Sequence, residues 1–226
     1  MIQPIKLKLI RLREKCWFKS PYWLHVIDYK ISQFFFENRV LFKLFKNKGL
    51  RYFPRKITYI DPNSITHYDR DRFFASIYYV QSGDWDLKKN PLCEKLQQKF
   101  VRELLVEKKS IENLNCLEEY LQKITNSATT RDQAMTIIRN KAEKCLDLCE
   151  KMKKDGYLTQ KELGKSSWNR FNTWYDEIRV SMDRNGKYIL NGSGNHRLAV
   201  AQVLKLKKVP AVVIRVHSQY YMDKKC

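Results

Sequence analysis

Glycine and proline are scarce in this chain, seven and six in 226 residues. That scarcity excludes collagen-like and low-complexity classes, and it makes each glycine positionally informative. No run of eighteen apolar residues occurs, so no transmembrane helix is expected. The six cysteines, Cys16, Cys93, Cys116, Cys145, Cys149 and Cys226, include no Cys-x-x-Cys pair. Cys145 and Cys149 are four apart in a helical pattern and read as buried apolar thiols rather than a metal or redox pair. The four histidines, His25, His67, His196 and His217, are too scattered for a zinc site. Neither a cleavable signal segment nor an internal repeat is evident. A cytoplasmic location is the expectation, with peripheral attachment to a membrane as its variant.

Acidic residues are also in short supply. Forty-four Lys and Arg face twenty-four Asp and Glu, for a formal charge of +20. Residues 1–60 carry fourteen basic side chains against Glu14, Asp28 and Glu37 alone. Such a field favours polyanions, either nucleic acid or an anionic membrane surface. A solvated lysine-rich face explains it equally well. Within 1–52 the basic residues interleave with aromatics such as Trp17, Trp23, Phe34 and Phe45. The apolar spacing there predicts two amphipathic helices, a basic aromatic N-terminal extension. Packing against the rest of the chain is the preferred reading, and attachment to a membrane surface the alternative.

Residues 53–226 read as an α/β (α+β) domain. Ile57 to Ile60 is a short strand closed by Asp61-Pro62-Asn63, and Phe74 to Val80 is a second. Residues 91–163 carry helical stripes, Leu96-Phe100-Leu104-Leu105 and Leu117-Tyr120-Leu121-Ile124. Thr130-x-x-Gln133 is a capping box for a helix from Arg131 to Lys154, with Gly156 as its C-cap. Thr159-x-x-Glu162 marks one more short helix. This block reads as a helical insertion covering a sheet.

The most informative stretch follows. Glu177-Ile178-Arg179-Val180-Ser181-Met182 alternates as a half-buried strand does. Asp183-Arg184-Asn185-Gly186 is a turn, and Lys187 to Leu190 returns as a second strand. Asn191-Gly192-Ser193-Gly194-Asn195-His196-Arg197 then passes through a glycine loop into a helix. Val209 to Val216 is a continuous β-branched run, the mark of a buried strand. Glycines let the loop approach a ligand, the helix start offers unpaired N–H groups, and Arg197 adds a donor fork. These residue types suit a phosphate, with side chains of Asn191 and Ser193 able to add hydrogen bonds. A structural turn in which Asn195 merely caps the helix is the competing reading. His196 suits either a phosphate contact and proton donor or a packed neutral ring. Gly83-Asp84-Trp85-Asp86 places two carboxylates where they could hold Mg²⁺, or where they could cap a turn around a buried Trp85. Glu177 is the candidate general base.

Two decoys are set aside. Gly164-Lys165-Ser166 lacks the first glycine of a Walker A loop, whose place falls on Thr159. Gly192-Ser193-Gly194 lacks the outer residues of a nucleophile elbow.

The hairpin, the Gly194-Asn195-His196-Arg197 box opening a helix and the closing Lys208-Val209-Pro210-Ala211-Val212-Val213-Ile214 resemble the ParB/sulfiredoxin superfamily core. Within it, the Gly83-Asp84-Trp85-Asp86 element and the Glu177-Ile178-Arg179-Val180 strand most resemble ParB-like proteins. The resemblance implies a mixed-sheet core and a bound nucleotide, ATP or CTP with Mg²⁺. Asn191, Gly192, Ser193, Gly194, Asn195, His196 and Arg197 would form the phosphate-binding loop. Asp84 and Asp86 would hold metal, and Glu177, His196 and Asp84 would be catalytic. Asn195 stands where sulfiredoxins carry their catalytic cysteine, so that activity is not expected. The leading expectation is a kinase or nucleotide hydrolase with an unknown acceptor. Its alternative is a non-catalytic ParB-like DNA-binding or nucleotide-gated switch protein.

Overall fold

The computed structural model describes residues 57–69, 79–125, 130–164 and 177–223. The extension at 1–52, residues 74–78 of the second expected strand, Lys165, Ser166, Cys16 and Cys226 lie outside the described residues. Among the described residues, seven strands form one mixed sheet. They are β1 (Ile57–Ile60), β2 (His67–Asp69), β3 (Tyr79–Gln81), β4 (Lys89–Pro91), β5 (Ile178–Met182), β6 (Tyr188–Leu190) and β7 (Val209–His217). The spatial order is β1-β7-β5-β6-β2-β4, with β3 also paired to β7. β1 pairs with the first half of β7 and β3 with its end, so the two share one flank of the central strand. β5 runs parallel to β7 and antiparallel to β6, as the Asn185-Gly186 turn requires.

Between β4 and β5 come three helices, α1 (Leu96–Leu105), α2 (Leu117–Thr125) and α3 (Arg131–Asp155). Thr130 and Gln133 form the reciprocal capping box at the start of α3, and Gly156, at φ 73°, ends it. Two orphan amides are thereby satisfied at one end, and the chain turns sharply at the other. At Thr159 the box is complete, with Glu162 N–H donating to Thr159 Oγ1 at 3.2 Å. The Glu162 carboxylate accepts from the Thr159 amide at 2.7 Å, and Leu163 N–H reaches Thr159 C=O at 3.0 Å. As far as the described residues go, this is a single turn rather than the expected short helix. The glycine loop then opens α4 (Asn195–Val203), and α5 (Ser218–Asp223) follows β7.

One core holds the layers together. Ile178 and Val180 of β5 and Val213 and Val216 of β7 join Phe100, Val101, Tyr120, Leu121, Ile138 and Leu198 from the helices. Each such side chain contributes about 1.5–3 kcal/mol by leaving water. Every residue of β7 is buried, which accounts for its apolar run from Val209 to Ile214. The opposite face of the sheet is different. Val212 and Ile214 pack there with Ile57. Alongside lie buried Asp69, Arg179, Ser181, Asp183, Arg215 and His217. The alternation along β5 thus separates an apolar face from a polar one, yet both are buried. Cys116, Cys145 and Cys149 are free, buried thiols, as the helical spacing of the latter two implies, whereas Cys93 is free and exposed.

Gly194 fixes how closely α4 can approach β5. It sits at φ 81°, and a Cβ there would stand 2.7 Å from the Ile178 Cα. Neither the backbone conformation nor the space admits a side chain. Gly194→Ala is therefore expected to lower unfolding free energy by at least about 2 kcal/mol, measured by urea denaturation. A change below about 0.5 kcal/mol would show that the contact is not a constraint.

Candidate functional site

The end of the sheet where β6 stops and β5 starts gathers most of the residues singled out from the sequence. Asn191 N–H bonds Arg179 C=O at 2.8 Å, and Arg179 N–H bonds Ser193 C=O at 3.4 Å, so the loop is stitched to β5. Asn191 is buried, and its Nδ2 donates to Ser181 Oγ at 2.9 Å and Asp69 Oδ2 at 3.4 Å. Asp69 in turn pairs with buried Arg215. Asn191 is therefore an anchor at the root of the loop rather than a side chain offered to solvent. Gly192, at φ 87°, lies over the Arg179 guanidinium, and a Cβ there would meet Nη2 at 3.3 Å. Asn195 does not cap the helix, because the N-cap is Gly194. Its Nδ2 instead donates to Gly192 C=O at 2.7 Å and holds the loop closed. The first amide of this stretch with an intrachain acceptor is Leu198, bonded to Gly194 C=O. The six amides from Gly192 to Arg197 have none among the described residues. Two positive-φ glycines and a helix start thus present a concentrated set of N–H donors.

His196 and Arg197 diverge. The His196 ring packs edge-on to Phe100 at 6.3 Å between centroids, and its Nε2 meets Tyr120 Oη at 3.1 Å. Burial, then the charges of Lys141 and Lys123, push its pKa down to about 4. It is a neutral ring enclosed by the helices, which is the second of the two sequence readings. Arg197 points elsewhere. Its Nη1 lies 3.4 Å from Oε2 of Glu177, a carboxylate that is 1% exposed. Glu177 Oε1 accepts the Gln160 amide at 2.6 Å, and Tyr157 Oη donates to Oε2 at 3.5 Å. Burial pushes the Tyr157 phenol well above its usual range, so it remains a donor. Glu177 is thus a hub of the turn after α3, a role for which Tyr157 and Gln160 gave no sequence signal beyond their nearness to the Thr159 box.

Gly83-Asp84-Trp85-Asp86 forms a separate cluster. Arg184 Nε and Nη2 bond the two oxygens of buried Asp86 at 2.8 and 2.7 Å, and Nη2 also reaches Asp84 Oδ1 at 2.8 Å. Burial would raise the Asp86 pKa, but the Arg184 side-chain and backbone bonds, with the nearby His217 and Arg184 charges, bring it down to about 2. Trp85 stacks under Arg215, 3.7 Å from ring centroid to guanidinium, and its Nε1 bonds Gln81 C=O. His217 Nε2 lies 2.9 Å from Gly83 C=O. The element clasps the β5–β6 turn to the end of β7. The donors on its carboxylates come from Arg184, a residue read from sequence only as part of a turn. No group of three or more His, Cys, Asp or Glu suited to a metal occurs among the described residues. Nor is any of their helices long and apolar enough to cross a membrane. Asp183, beside the clasp, accepts from Lys89 and from the Asn185 and Lys187 amides, closing its own turn.

Arg197 also lines a cavity of about 730 Å³ between the second half of α3 and the turn at 156–163. Comparison with known proteins supplies no parallel: no family model, curated protein or solved structure matches the chain.

The enclosed His196 carries a pH signature. Its folded pKa lies below the unfolded value of 6.5, so the unfolded chain binds more protons between these values. Stability is present above about pH 6.5 and is lost as pH falls toward 4, by up to about 3 kcal/mol. Unfolding free energies measured from pH 4 to 7 should show this slope, and His196→Gln should flatten it. An unchanged slope in the variant would place the titrating group elsewhere.

Proposed function

We propose that the chain is a ParB/sulfiredoxin-like nucleotide-binding protein, taking ATP or CTP. The observation that carries this reading is the run of six amides from Gly192 to Arg197 without an acceptor among the described residues. A nucleotide's phosphate oxygens are the natural acceptors for such a run at a helix start. Arg197 supports the same reading. Its guanidinium is oriented by Glu177 and Tyr157 and lines the cavity beside the loop, where it can meet an anion.

The carboxylates of Asp84 and Asp86 do not fit the Mg²⁺ role, because Arg184 occupies them. Mg²⁺ would arrive with the nucleotide and be held by phosphate oxygens and water. On this reading Asn191 anchors the loop, Gly192 and Gly194 shape it, Ser193, Asn195 and His196 contribute amides, and Arg197 contributes both an amide and its side chain.

One observation favours the non-catalytic, nucleotide-gated form over a kinase or hydrolase. Both expected proton carriers are committed elsewhere. His196 is neutral and enclosed, and Glu177 holds Gln160, Tyr157 and Arg197. Binding then biases the conformation of the loop and α4 rather than driving turnover.

Arg197→Gln keeps a donor near Glu177 while removing the charge. Losing a charge-assisted bond of about 1.5–3 kcal/mol should weaken ATP or CTP binding roughly 10- to 100-fold by calorimetry. Equal affinity in the variant would remove Arg197 from the phosphate site. Inorganic phosphate release from the wild type, assayed alongside, decides between the two forms; sustained release that depends on Arg197 would favour the enzyme.

A further inference from the structure

We propose that the cavity beside Arg197 receives the nucleoside end of the nucleotide; this rests on the reading above that phosphates bind at the glycine loop. Arg197 is the shared residue. Its main chain belongs to the run of free amides, and its side chain forms part of the cavity wall. A ligand whose phosphates span the loop therefore meets this cavity next. The volume of about 730 Å³ falls within the range of small-molecule sites, roughly 300–1,000 Å³, and it exceeds what a phosphate chain needs.

Its chemistry is mixed in the way a nucleoside requires. Leu148 and Met152 of α3 and Leu163 of the following turn form an apolar wall for the face of a base. Leu163 is 45% exposed although it is a large apolar side chain, and a stacked base would cover it. Asp155 provides an acceptor for ribose hydroxyls or an exocyclic amine, and it has no ion pair among the described residues. Gln160 lies on the same wall, its amide fixed by Glu177. The Glu177 hub therefore positions both Arg197 and one side of the cavity. A bare anion site would need only the cations, and the apolar wall is the feature that asks for an organic body.

The test compares ATP, CTP and inorganic tripolyphosphate by calorimetry on the full chain and on two variants. Leu148→Trp narrows the cavity, and Leu163→Asp places a carboxylate on its exposed apolar wall without touching the core. In the wild type, at least one nucleotide should bind tenfold or more tightly than tripolyphosphate. Each variant, checked for unchanged thermal unfolding, should lose that advantage while tripolyphosphate affinity stays within twofold. Two results would overturn the proposal alone. One is tripolyphosphate binding as tightly as both nucleotides, and the other is variants that retain the nucleotide advantage. Failure of tripolyphosphate and both nucleotides to bind the wild type would instead overturn the phosphate-loop reading, and this inference with it. Should Leu148→Trp fail to fold, Leu163→Asp decides, because its side chain lies at the surface.

Discussion

The buried carboxylate of Glu177 is the constraint on which the site depends. It stands at the first residue before β5, 1% exposed, where an uncompensated charge would cost several kcal/mol. Compensation includes the Gln160 amide and the Tyr157 hydroxyl, both on the turn after α3, and the Arg197 guanidinium of α4. Because these partners lie on two elements other than its own, satisfying one charge fixes the turn after α3, the start of β5 and the first turn of α4 relative to one another. The same geometry limits what Glu177 can do. A carboxylate committed to holding three segments is better suited to orienting Arg197 than to removing a proton from a substrate.

Arg197 is held loosely by this arrangement. Its contact with Glu177, at 3.4 Å, is long for a charge-assisted bond, which normally falls near 2.7–2.9 Å, and its other partner is the neutral Tyr157 hydroxyl. The contrast with Arg184 is instructive. That guanidinium bonds Asp86 and Asp84 at 2.8, 2.7 and 2.8 Å through Nε and Nη2 and closes a clasp. Two arginines in one molecule thus show two uses of the same fork. One bridges two carboxylates and is structural, and the other is oriented by a longer contact beside a row of amides.

Much of the framework was legible in the residues because local physics decides it. Asn185-Gly186 sets the hairpin, Thr130 and Gln133 cap α3, Gly156 ends it, and the β-branched run from Val209 becomes the central buried strand. The glycine loop was legible for the same reason, since Gly192 and Gly194 occupy conformations that other residues rarely adopt. What escaped was long-range pairing of charge. Nothing near Asp86 in the chain announces Arg184, and nothing near Glu177 announces Tyr157. The carboxylates of Gly83-Asp84-Trp85-Asp86 had two open readings until a partner from the far end of the β5–β6 hairpin occupied them. Spacing along the chain identifies groups able to ionise, but only the fold decides which of them neutralise each other.

The helices between β4 and β5 do more than cover the sheet. His196 and Arg197 are consecutive residues at the start of α4, so their side chains diverge by about 100° around the helix axis. Both cannot face one ligand. The inserted helices decide which does, by receiving His196 against Phe100 of α1 and Tyr120 of α2. Burial there, reinforced by the charges of Lys141 and Lys123 on α3 and α2, keeps the ring neutral. With His196 withdrawn, Arg197 is left facing α3 and the cavity that α3 forms with the turn beyond it. A glycine loop flanked by His-Arg could serve proton transfer or anion binding equally well. In this molecule the insertion encloses the histidine and lines the cavity beside Arg197; on the reading proposed above, that tilts the same seven residues from chemistry toward recognition.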